Sequence, residues 1–110
     1  MAYTEIFKLK RMLEEAEIPF VFSDNVFKGK HILQIQYPNA SEEERVCSVA
    51  QGYGTYGGDV DMLEILGLLT EKESRRNVVA GWLTAENVFK RIQKHYKKWR
   101  DKNEKENEKG

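Results

Sequence analysis

The chain has 110 residues, 40% of them hydrophobic and 11% aromatic, which suits one domain with a single core. Lys+Arg and Asp+Glu balance at 18 each, so net charge singles out neither a polyanion nor a membrane surface as partner. The lone Cys47 excludes a disulfide framework within the chain, no apolar run nears the roughly 20 residues of a membrane span, and Met1-Ala2-Tyr3-Thr4-Glu5 lacks the pattern of a signal peptide. A cytoplasmic protein is the expectation.

Thr4 reads as the N-cap of a helix that carries Ile6, Leu9, Met12, Leu13 and Ala16 at helical spacing and runs to about Glu17, with Pro19 as its stop. Phe20-Val21-Phe22 reads as a short strand, Ser23-Asp24-Asn25 as turn material and Gly29 as a second break. His31 to Tyr37 is the clearest strand, built from β-formers in partial alternation. A polar loop from Pro38 through Glu42, Glu43 and Glu44 leads to the next strand, Val46 to Gln51. Then comes a glycine cluster, Gly52-Tyr53-Gly54-Thr55-Tyr56-Gly57-Gly58. Met62 to Leu66 is assigned to strand, since it is short and closely flanked by glycines. Thr70 and Glu73 have capping-box spacing for a single helical turn, and Asn77 to Trp82 reads as an edge strand.

Thr84 caps the last helix. Val88, Phe89, Ile92, Tyr96 and Trp99 fall on one side of the helical wheel, and Lys90, Arg91, Lys94, Lys97 and Lys98 on the other. The predicted fold is α+β: a short antiparallel meander of four to five strands packed against an N-terminal and a C-terminal amphipathic helix, within residues 1–100. Residues 101–110 are charged and lack apolar anchors, which predicts a frayed or disordered tail.

Charge is unevenly distributed. Residues 1–83 carry nine Lys/Arg against thirteen Asp/Glu, whereas 84–100 carry six Lys/Arg and only Glu86. The basic helix face invites phosphate, but Tyr96 and Trp99 read as core residues, which leaves it without exposed aromatics for a nucleic acid. Gly52-Tyr53-Gly54-Thr55-Tyr56-Gly57 matches GxGxxG in form alone. Asp59 and Asp61 follow where a phosphate site needs a helix N-terminus. Two histidines and one cysteine give no metal-ligand spacing, and no cofactor is expected. A Cys47–His31 nucleophile pair is the one enzymatic reading open, and it is set aside because a thiol in mid-strand is normally inert.

The glycine cluster is the better candidate for recognition. Two tyrosines among glycines offer flat contact area on a backbone that a ligand can approach closely. The predicted contact set is Gln51, Tyr53, Gly54, Thr55, Tyr56, Asp59 and Asp61, with the 42–44 acids tuning charge. Arg45, Arg75, Arg76, Lys90, Arg91 and Lys94 are the cations available to a phosphate.

Val46-Cys47-Ser48-Val49, Gly54-Thr55-Tyr56-Gly57-Gly58, Met62 to Thr70 and Gly81-Trp82-Leu83-Thr84-Ala85-Glu86-Asn87-Val88-Phe89 together resemble a family of small uncharacterised proteins encoded in phages and prophages of Gram-positive bacteria, gut species included. With the opening helix and Ile18-Pro19-Phe20, the resemblance covers about residues 5–96. It carries over no functional residue. It implies a setting, a mobile element inside a bacterial cell, where many small proteins block host defences by gripping a defence protein or sequestering its nucleotide signal. The expectation is therefore a non-enzymatic binding protein, partnered by a bacterial host protein or a small nucleotide and conceivably a homo-oligomer. A nucleic-acid accessory role for the basic helix is the alternative.

Overall fold

The computed structural model describes residues 3–109. The N-terminal helix, α1, spans Glu5–Glu15 and buries Ile6, Leu9 and Leu13 on one stripe. It ends two residues earlier than the sequence predicts. Glu17 adopts a left-handed φ of 57°, its N–H bonds the Glu14 carbonyl at 3.1 Å, and the Ile18 N–H bonds the Leu13 carbonyl at 3.0 Å. This is a Schellman cap with glutamate in glycine's usual place, and Pro19 follows it. Thr4 makes no side-chain cap. That role passes to a residue far along the chain, described below.

Five antiparallel strands follow: β1 (Val21–Phe27), β2 (Lys30–Tyr37), β3 (Cys47–Gly52), β4 (Leu63–Leu66) and β5 (Val79–Leu83). They lie side by side in chain order, with β1 and β5 at the edges. Ser23-Asp24-Asn25 is not a turn, because β1 runs straight through it. The reversal comes at Lys28 and Gly29, with φ of 53° and 76°, the paired positive values of a tight two-residue hairpin. Polar residues fit within β1 because it is an edge strand and Asp24 and Asn25 face water. The strand expected over 62–66 forms at Leu63–Leu66. Glu71–Ser74 forms α2, a single turn closed by the Thr70/Glu73 capping box.

The C-terminal helix, α3 (Ala85–Lys109), begins at Thr84, whose hydroxyl accepts the Asn87 N–H at 3.2 Å. Its helical backbone continues through 101–109, the stretch expected to fray or be disordered. Both long helices cover one face of the sheet. Ile6, Leu9 and Leu13 of α1 and Ala85, Val88 and Ile92 of α3 meet Leu33, Ile35, Val49, Leu63 and Ile65. Each of these leucine, isoleucine and valine side chains contributes about 1.5–3 kcal/mol when fully buried. The other sheet face stays polar at its centre, where Gln34 donates to the Ser48 hydroxyl at 2.6 Å. Among the described residues, no helix is long and apolar enough to cross a membrane.

Candidate functional site

The glycine cluster leaves β3 at the end of the sheet where the β1–β2 hairpin turns and β5 finishes. Thr55 staples it. Its hydroxyl accepts the Gly52 N–H at 3.0 Å and donates to the Gly52 carbonyl at 2.8 Å. Gly52 is required, since a Cβ there would sit 2.5 Å from the His31 carbonyl oxygen and 2.8 Å from the Ile32 Cα. The Tyr56 N–H donates to Glu64 Oε1 at 2.8 Å, and the Tyr56 carbonyl accepts the Trp82 N–H at 3.2 Å. The loop is thus pinned to both β4 and β5.

Trp82 sits at an irregularity between β4 and β5, where the register slips between Leu63 and Ile65. Its φ is +54°, uncommon for a bulky residue and costly by about 1–3 kcal/mol. The indole stacks on Tyr56 at 5.6 Å and 24°, and a methyl group on Gly81 would overlap the Tyr56 Cβ. Even so, the pair faces outward, Tyr56 46% and Trp82 58% exposed. Tyr53 is also exposed, with the Lys30 ammonium 3.5 Å above its ring. Gly54 and Asp59 are exposed beside them, and Thr55 is half-buried by its stapling role. Trp82 was missed by sequence reasoning, which placed it at the tail of an edge strand. Its one signal is a large aromatic directly after Gly81.

Two of the expected contact residues serve the fold instead. Gln51 is fully buried; its carbonyl accepts the Ile6 N–H at 3.0 Å and its amide donates to Asp61 at 2.6 Å. Asp61 accepts the Thr4 N–H at 2.8 Å, the Glu5 N–H at 3.2 Å and the Thr4 hydroxyl. Burial on its own would raise this carboxyl. The hydrogen bonds from Thr4, Glu5 and Gln51 outweigh burial and hold it below the usual carboxylate range. Together Gln51 and Asp61 cap α1, satisfying amides that the helix leaves unpaired.

The six cations expected to meet a phosphate are not beside the tyrosines. Arg45 precedes β3 and the glycine cluster follows it, so the six-residue strand puts about 20 Å between them. Arg75 and Arg76 lie between α2 and β5 at the far end of the sheet, where Arg75 pairs with Glu71 at 2.5 Å. Arg91 is committed to an ion pair with both oxygens of Glu73, at 2.7 and 2.9 Å, and also donates to the Leu68 carbonyl. These bonds from Arg91, reinforced by Thr70 and opposed by burial, lower the Glu73 carboxyl to about 2. Lys90 and Lys94 are exposed on the same reach of α3. The 42–44 acids, on the β2–β3 loop, are at this far end too.

That far end holds a second aromatic group. The Tyr37 hydroxyl and His95 Nδ1 lie 2.8 Å apart, and Pro19, Pro38, Val46 and Trp99 join them around a cavity of about 550 Å³. Trp99 is not in the core. It is 55% exposed and stacks on the half-buried Tyr96 at 5.9 Å and 20°. Cys47 and His31 do not meet, for Cys47 pairs with Tyr37 at one end of β2 and His31 is at the other. Burial pushes the Cys47 thiol up to about 12. Among the described residues, no three His, Cys, Asp or Glu side chains gather where they could hold a metal ion.

The Tyr53, Tyr56 and Trp82 surface, built on three strands, is the candidate site. No family model, no curated protein and no solved structure matches this chain.

Proposed function

We propose that this chain is a binding protein without catalytic chemistry of its own, and that it grips a protein partner through Tyr53, Tyr56 and Trp82. The observation that carries this reading is the stacked Tyr56–Trp82 pair, left open to water while the backbone beneath it is strained. Sealed aromatics would need no further explanation. Two exposed rings locked to a sheet present large apolar area with little entropy left to lose, the property of interface anchors. Asp59 and Glu64 supply negative charge beside them, and Lys30 a cation. A nucleotide-sequestering role has less support, since the six candidate phosphate cations are at the other end of the sheet. In the setting that the resemblance implies, the partner that fits is a bacterial defence protein.

The test uses the wild-type chain and a Tyr56→Ser/Trp82→Ser variant as baits in bacterial host lysate. The captured partner is then purified and titrated by calorimetry against both. Loss of two anchors at about 2 kcal/mol each predicts a drop in affinity of about 700-fold. If the variant still folds by circular dichroism and both baits hold the same proteins equally well, the platform is not the binding face.

A further inference from the structure

We propose that α3 and the C-terminal end of α1 form a groove for single-stranded nucleic acid, a second site that does not rest on the tyrosine-loop reading. Lys90, Lys94, Lys97 and Arg100 recur at intervals of four, three and three residues, which sets them along one side of α3. They line a cavity of about 570 Å³ that Ala16, Glu17 and Ile18, the turn that ends α1, close. Glu17 is the only acid in that lining. All four cations are exposed, and no ion pair among the described residues engages them. At 1.5 Å per residue, Lys90 to Arg100 spans about 15 Å, enough to follow several phosphates.

Cations alone would describe any solvated helix face. The aromatic pair beside them is what selects the ligand. Tyr96 lines both this groove and the neighbouring cavity that Trp99 lines, and the two rings stack. Trp99 keeps more than half its surface open, and the Arg100 guanidinium carbon lies 5.9 Å from the Tyr96 centroid. The groove holds Tyr96 in its wall beside the cations, and Trp99, further round the helix, extends the stack from that ring, as unpaired strands are held: cations follow the backbone while bases stack on rings. A duplex hides its base faces and has no use for Trp99. The sequence alone places Trp99 in the core, which conceals this combination.

The experiment measures fluorescence anisotropy of labelled 12-mers of oligo-dT and oligo-U, and of a 12-base-pair duplex, against the full chain at 50 and 200 mM salt. Single strands should bind, with log K falling against log salt at a slope of about −3 for four phosphate contacts. Trp99→Ala should weaken binding about five- to hundred-fold, Trp99→Phe should restore most of it, and Lys94→Glu/Lys97→Glu should abolish it. The tighter of the two single strands identifies the nucleic acid. Three results each overturn the proposal: no binding at 50 mM salt, equal affinity for the duplex, or binding indifferent to Trp99→Ala. Trp99 is on the surface, so circular dichroism should confirm that its variants fold.

Discussion

Glu73 links α2 to α3 through Arg91, and its titration should be measurable as stability. The carboxyl is lowered from its ordinary 4.5 to about 2. The gap between 4.5 and about 2 corresponds to about 3–4 kcal/mol at most. The Glu73 and Arg91 side chains are 27% and 14% exposed, and the water that reaches them reduces this to about 1–2 kcal/mol. Because the folded value lies below the unfolded one, the stabilisation is complete above pH 4.5 and is lost as the pH falls through about 2. Glu73→Gln removes the charge and keeps a capping-box side chain at that position. Urea unfolding should therefore find the variant about 1–2 kcal/mol less stable at pH 7, with more than half of that gap gone by pH 3. Other carboxylates titrate alike in both proteins and cancel in the difference. A variant within about 0.3 kcal/mol of the wild type at pH 7, or a gap unchanged down to pH 3, would refute the reasoning.

Gly81→Ala should lower stability by about 1–3 kcal/mol and change the near-UV circular dichroism, since the added methyl displaces Tyr56 from Trp82. Gly54→Ala, at a φ of +82° with nothing nearby to strike, should cost only about 1 kcal/mol; equal losses from the two would contradict this account. Asp61→Ala should cost about 1–2 kcal/mol and speed hydrogen exchange at the Thr4 and Glu5 amides, with Asp61→Asn recovering part of the loss. Iodoacetamide should label Cys47 slowly in the native state at pH 8 and at the unfolded rate in denaturant, since the thiol is buried and held up to about 12.

Much of the fold was legible because its signals are local. Alternation marked β2, apolar spacing marked both long helices, and the Thr70/Glu73 box marked α2. Errors arose where distant contacts decide. Ser23-Asp24-Asn25 looks like a turn in composition, yet an edge strand accepts polar residues and Lys28-Gly29 makes the tighter reversal. Thr4 is the N-cap residue, but Asp61, 57 positions downstream, supplies the acceptors in place of its hydroxyl. The candidate site was half legible. Its glycine-spaced tyrosines were visible, whereas Trp82 joins them only through a register slip that no short motif encodes. Gln51 and Asp61 stand next to those tyrosines in sequence, but their side chains bond the first amides of α1, a long-range contact that no local pattern encodes. Trp99 fits the apolar stripe by angle, but its indole stays open at the cavity beside Tyr37, Pro38 and Val46 instead of entering the core.

Each strand pairs only with its neighbours in sequence, so the sheet can assemble by closing short loops, a topology associated with rapid folding. α1 obeys a different schedule. Its leading amides find their acceptors 45 and 57 positions downstream, and Glu5 reaches 80 positions to hold the first amide of α3. A helix synthesised before the sheet is therefore latched only after Gln51, Asp61 and Ala85 are in place.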